Sequence, residues 1–160
     1  MKITNRIKSF AFALFLASGA VFTLAPHMAL AAPYTANEYA NIDCNNDNTI
    51  NAAKVRFSQD SIASRFSTGE TVQSLIDELI AGTTTAADVP PIRLVKVDPS
   101  QVVKPNGNMI ASGVYTLDNR RLYAFQSAGK AIRCSKTGAV PGSQKFKFTT
   151  DNNGTSITVR

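Results

Sequence analysis

The pattern of apolar and polar positions divides the chain into a few clear elements. In "ETVQSLIDELIAG", residues 70–82, Val72, Leu75, Ile76, Leu79 and Ile80 recur with the helical period and Gly82 stops the run. "PIRLVKV", residues 91–97, alternates and is rich in β-formers, so it reads as a strand, as does "GVYTL" at 113–117. "NRRLYAFQSA", residues 119–128, spaces Leu122, Phe125 and Ala128 for a core-facing helix with Gly129 in the capping position. "KVRFSQDSIASRFSTG" gives a short strand at 55–57, then a helix begun by Ser58 with Ile62 and Phe66 on one face. "KAIRC" is a further short strand, and "KFKFTTDNNGTSITVR" reads as a hairpin about an Asn-Gly turn at Asn153 and Gly154. Its Lys145 and Lys147 fall on one face and Phe146 and Phe148 on the other. "TTTAADVP" and the turn-rich "DPSQVVKPNGN" connect elements, and no internal repeat is present. Interspersed helices and strands predict an α+β fold: a small mixed β-sheet with packed helices and a C-terminal β-hairpin.

The first thirty-one residues stand apart. A basic start with Lys2, Arg6 and Lys8 precedes the apolar run at 10–24, too short for a stable membrane span, and "ALA" at 29–31 supplies a small-x-small pattern. This is the pattern of a bacterial secretory leader cut near Ala31, with a retained anchor as the alternative; it places the remainder in the periplasm or outside the cell. No later segment is apolar enough to span a bilayer. About 130 residues remain, enough for one modest core: a polar, Asn-rich lead-in at 32–54 and a folded domain at 55–160. Three of the seventeen basic residues belong to the leader, so the remainder carries fourteen against eleven acidic residues, a net +3 rather than +6. That permits nucleic-acid binding without arguing for it.

The only histidine, His27, lies in the leader. Triads and zinc hydrolase sites that use imidazole are therefore excluded from the remainder. Cys44 and Cys134 form an even pair; in an oxidising compartment they favour one disulfide, with two free thiols as the alternative. "DCNNDNTIN" places Asp43, Asn45 and Asp47 as in a calcium loop, but the twelfth position is Lys54 and the sixth is not glycine, so it reads as a solvated turn pinned by Cys44. No metal-ligand set is assigned.

The chemically unusual feature is a helix opening on Arg120 and Arg121. Cations are disfavoured where backbone N–H groups already concentrate positive charge. Either Asp118 pairs with one of them, or the pair receives an anion such as phosphate.

The succession "VRFSQDSI", "TVQSLIDELIAG", "PPIRLVKV", "LDNRRLYAFQSAG" and "AIRC" resembles the ParB/sulfiredoxin-like superfamily, and the version with "DNRRLYAFQ" resembles the ParB-like domains of bacterial polymorphic toxins. The resemblance covers residues 55–134. It implies a phosphate-binding box in which Asp118 and Asn119 fall where the family has its glycine and the next residue, Arg120 and Arg121 on the basic pair, and Ala124 on the small helix residue. The lost glycine departs from the pattern. Sulfiredoxin's catalytic cysteine falls at Asn119, so sulfinic acid repair is not implied. Ser58 and Gln59 would lie near the ligand, with Ser58 as a mere helix cap the alternative; Arg93 could face the same cleft. Tyr115 and Tyr123 could stack on a base or belong to the core. The expectation is a secreted domain binding a nucleotide or nucleic acid through Asn119, Arg120, Arg121, Ser58, Gln59 and Arg93. Its catalytic residues would be Asp118, Arg120 and Arg121, acting as a toxin-like nuclease or nucleotide-processing effector. Mg²⁺ would be its candidate cofactor and an immunity protein its candidate partner. The alternative is a catalytically inert exported module recognising a protein or envelope component.

Overall fold

The computed structural model describes residues 31–45, 47–98, 104 and 109–160. The expected leader up to residue 30 and most of the loop at 98–108 lie outside the described residues. The strands are β1 (Thr49–Ile50), β2 (Arg56–Phe57), β3 (Ser61–Ile62), β4 (Ile92–Val97), β5 (Gly113–Thr116), β6 (Ile132–Ala139) and β7 (Thr158–Val159). The helices are α1 (Val72–Ala81) and α2 (Asn119–Ser127). The fold is α+β: five strands form a mixed sheet in the order β1-β6-β4-β5-β2, and β3 pairs with β7 beside it. In the main sheet β4 runs parallel to β6 and antiparallel to β5.

Both faces of the sheet are covered, and alternation sorts the residues between them. Ile92, Leu94 and Val114 join Leu75, Leu79, Leu122 and Phe125 from the two helices. Val95, Val97 and Tyr115 face the other way, toward Leu117, Ile110 and Phe148. A central strand buried on both sides needs apolar residues at successive positions, which "LV" at 94–95 provides.

The α1 helix begins where the Thr71 hydroxyl accepts from Ser74 N–H at 2.9 Å and ends at Gly82 in the left-handed region. Replacing Thr71 with alanine removes that cap. The expected loss is about 1 kcal/mol, read as a lower urea midpoint at constant slope. Ile80, expected on the core face, is 61% exposed. At 3.6 residues per turn it lies about 80° round from Val72, at the margin of the buried stripe.

Two expected elements are replaced. No helix starts at Ser58, which is fully buried in the bend between β2 and β3. Its N–H donates to Asn119 Oδ1 at 2.9 Å, and its carbonyl accepts from Thr149 and Thr150 N–H at 3.0 and 3.2 Å. A carbonyl so occupied is not free to start a helical ladder. Nor does the C-terminal hairpin form. Residues Gly142–Lys147 make a 3-10 turn that exposes Phe146 and sends Phe148 into the core, edge-on to Tyr115 at 5.9 Å between ring centroids. The Asn-Gly pair does turn, with φ of 56° and 74°, but it closes onto β2: Phe57 N–H donates to Gly154 O at 3.0 Å. The last strand then pairs in parallel with β3, Ser61 opposite Thr158.

The lead-in is an integral part of the fold. Tyr39, Ile42, Ile50 and Ala52 are buried. The Tyr39 hydroxyl donates to Leu94 O at 3.3 Å and accepts from Gly138 N–H at 2.7 Å. Gln126 of α2 donates to the carbonyls of Ala52 and Val55. Cys44 and Cys134 are disulfide-bonded, 90 residues apart, and fasten the lead-in to β6; the chain-entropy contribution of so wide a loop is about 4 kcal/mol. In the turn they pin, Asp43 accepts from Asn45 N–H and the Asn48 amide, so it is satisfied without an ion. Strand β6 runs past its expected end at Cys134 because Gly138, at φ 84°, absorbs a register shift opposite Leu94 and Val95. Among the described residues no helix is long and apolar enough to cross a membrane.

Candidate functional site

A cleft of about 780 Å³ opens at the amino end of α2, walled by α1, the 3-10 turn and the segment leading into β4. It gathers Gln59, Arg93, Asp118, Asn119, Arg120 and Arg121. Ser58, expected beside them, is not on its surface; it lies beneath Asn119, which it supports. Lys147, expected on the hairpin, joins them because the 3-10 turn that replaces the hairpin brings it to the rim.

The floor is a closed ion cluster. Asp118 Oδ2 accepts from Arg93 N–H at 2.8 Å and Nε–H at 3.0 Å, and Oδ1 accepts from Arg93 Nη2 at 2.8 Å. Arg121 Nη2 lies 2.5 Å from Oδ1, while its Nη1 donates to the carbonyls of Pro90 at 2.8 Å and Pro91 at 3.0 Å. Burial alone would raise the Asp118 carboxyl. Hydrogen bonds from Arg93 and the charges of Arg121 and Arg93 outweigh it and hold the group below its ordinary value. Both oxygens are thus committed to guanidinium groups. That leaves Asp118 a weak proton acceptor with no oxygen unshared for Mg²⁺. No group of three or more His, Cys, Asp or Glu placed to hold a metal ion occurs among the described residues.

The two first-turn arginines therefore have different employment. Arg121 belongs to the cluster. Arg120 has no carboxylate within 4.0 Å among the described residues. One of its Nη groups donates to Arg65 O, its guanidinium lies 5.7 Å from the centre of the Phe66 ring, and the residue lines the cleft. Asp118 does not cap α2 with its side chain. The helix thus presents its amino end without a side-chain cap.

Asn119 is 3% exposed and works as a fastener. Its Oδ1 accepts from Ser58 N–H, and its Nδ2 donates to Ser58 Oγ and Gln59 Oε1, each at 2.9 Å. This fixes the Gln59 amide at the cleft edge. Tyr115 is wholly buried, its hydroxyl donating to Ala111 O at 2.8 Å, and burial pushes its pKa up to about 12. It belongs to the core on one face of the sheet, and Tyr123 packs partly buried against the core on the other.

No family model matches the chain, and neither a curated protein nor a solved structure does.

Proposed function

We propose that this domain, ParB/sulfiredoxin-like in architecture and exported, binds a compact phosphate-bearing ligand at the amino end of α2. Arg120 is the guanidinium that meets the phosphate, with Lys147 and the Gln59 amide at its side. One observation carries the reading: of the two arginines in that first turn, one is neutralised by Asp118 and the other stands over the cleft without a carboxylate partner. A helix start without a side-chain cap and a guanidinium with no carboxylate partner among the described residues reinforce each other as an anion site. The resemblance to a phosphate-binding box points to the same residues.

The rest of the cleft limits the size of the anion. Glu70, Glu78 and Asp88 line its other walls and would repel a polyanion lying along its length. A nucleotide or other small phosphate compound fits this charge arrangement better than a nucleic-acid strand. Turnover is not part of the proposal, since the nearest carboxylate is spent on two arginines.

Calorimetric titration with pyrophosphate, nucleoside triphosphates and short oligonucleotides tests this. The phosphate compounds should bind, and Arg120→Ala should weaken them about tenfold or more, the value of a charge-assisted hydrogen bond. An Arg120→Ala protein that binds as tightly as the parent, or a parent that binds none of the probes, overturns the reading.

A further inference from the structure

The cleft's wall at residues 85–91 is gripped from both sides, and one grip leads to the disulfide. On the cleft side Arg121 holds the carbonyls of Pro90 and Pro91. On the opposite side Arg133 Nη2 donates to the carbonyls of Ala87 at 2.8 Å and Val89 at 3.0 Å. Arg133 is the residue before Cys134, and its Nη1 is paired with Asp47 in the turn that carries Cys44. Asp47 itself adopts φ 62°, a left-handed conformation that aspartate tolerates better than most side chains. Its other fastenings are local hydrogen bonds and apolar packing. Within it, Asp88 closes a local turn by accepting from Thr85 N–H and Oγ1–H, while Val89 and the half-buried Ala86 pack against the core.

We infer that the cleft is redox-gated: the Cys44–Cys134 disulfide holds the Asp47 turn against Arg133, Arg133 holds the 87–89 backbone, and reduction releases that wall. The reaction is two-electron exchange with a dithiol. Its thiolate attacks one cystine sulfur and the other leaves as thiolate; the second thiol then closes the dithiol to its own disulfide, and Cys44 and Cys134 each take up a proton. With the bridge open, the pairing of Thr49 and Ile50 with β6 is left as the fastening beside Asp47, and its hold on the Arg133 charge weakens. The segment that places Pro90 and Pro91 for Arg121 then loses its outer support. The cleft would be complete only in the oxidised chain. The inference rests on the proposed ligand site only for its consequence in binding, not for the release itself.

Hydrogen exchange of the whole protein, oxidised and then reduced with dithiothreitol, reads the release directly. Amides at 86–89 should exchange about tenfold faster or more after reduction, while those of Val95 and Val114 in the central sheet keep their protection. Arg133→Met cuts the same relay with the disulfide intact and should loosen 86–89 alone; it decides the matter if reduction unfolds the entire domain. Unchanged exchange at 86–89 in Arg133→Met, or in a reduced protein whose thiols are both alkylated, overturns the inference. Pyrophosphate titration runs alongside. If the oxidised protein binds neither pyrophosphate nor the other probes, the ligand proposal falls while the exchange result still judges the gate.

Discussion

Gly154→Ala is expected to destabilise the domain by about 3 kcal/mol or more, combining left-handed backbone strain of roughly 1–2 kcal/mol with overpacking of roughly 1–3 kcal/mol. At φ 74° this residue sits against β2, where an added Cβ would meet Phe57 O and come within 2.8 Å of Phe57 N. Those are backbone atoms in a paired strand and cannot move aside as a flexible side chain would. The damage extends further, because Arg56 Nη1 and the buried Tyr115 hydroxyl both donate to the neighbouring Asn153 carbonyl. Gly82 provides the control: its φ is nearly the same, 75°, but its Cβ would enter open space. Gly82→Ala should therefore show the backbone term alone, about 1–2 kcal/mol. Equal losses for the two variants in urea unfolding would mean that the close approach to Phe57 contributes nothing.

Asp118→Ala is the second large effect, about 2–3 kcal/mol at neutral pH. It stays below the value for a fully buried pair because the Arg93 guanidinium is half solvated. Removing the carboxylate leaves two guanidinium groups facing each other and strips Arg93 N–H of its acceptor. The pH dependence follows from the lowered pKa of Asp118. A carboxyl more acidic in the folded than in the unfolded chain contributes its stability fully above the ordinary carboxylate range. It loses that contribution as pH falls through the folded value. The gap between parent and Asp118→Ala should thus be widest at neutral pH and narrow steadily below about pH 4. Thermal midpoints measured across that range check it; a gap independent of pH would contradict the ion cluster.

Much of this architecture could be read along the chain. The α1 helix, β4, β5 and α2 fall where periodicity placed them, because each buries a face whose spacing is local information. The Cys44–Cys134 bond is the one expected of an even pair in a chain read as leaving the cytoplasm. What failed was decided by partners far away in the chain. Ser58 is a competent helix start in isolation, but its N–H and carbonyl are claimed by Asn119, Thr149 and Thr150. Asn153 and Gly154 announced a turn correctly and said nothing of what it would close against. At the candidate site, residue types brought Arg120 and Arg121 to notice, and pairing of one with Asp118 was an open alternative. That Arg93 also binds this carboxylate depends on the pairing of β4 with β5, and that Lys147 reaches the rim depends on the 3-10 turn that replaces the hairpin, neither of which is local information.

The parallel pairings β2 with β5 and β3 with β7 have a kinetic corollary. Neither can be reached by a short hairpin, and Ser61 waits for Thr158 across almost the whole domain. Chain segments this distant meet late, after an entropic search that local elements avoid. On a ribosome, the first half of the domain must remain unassembled at this edge until residues 148–159 have been made.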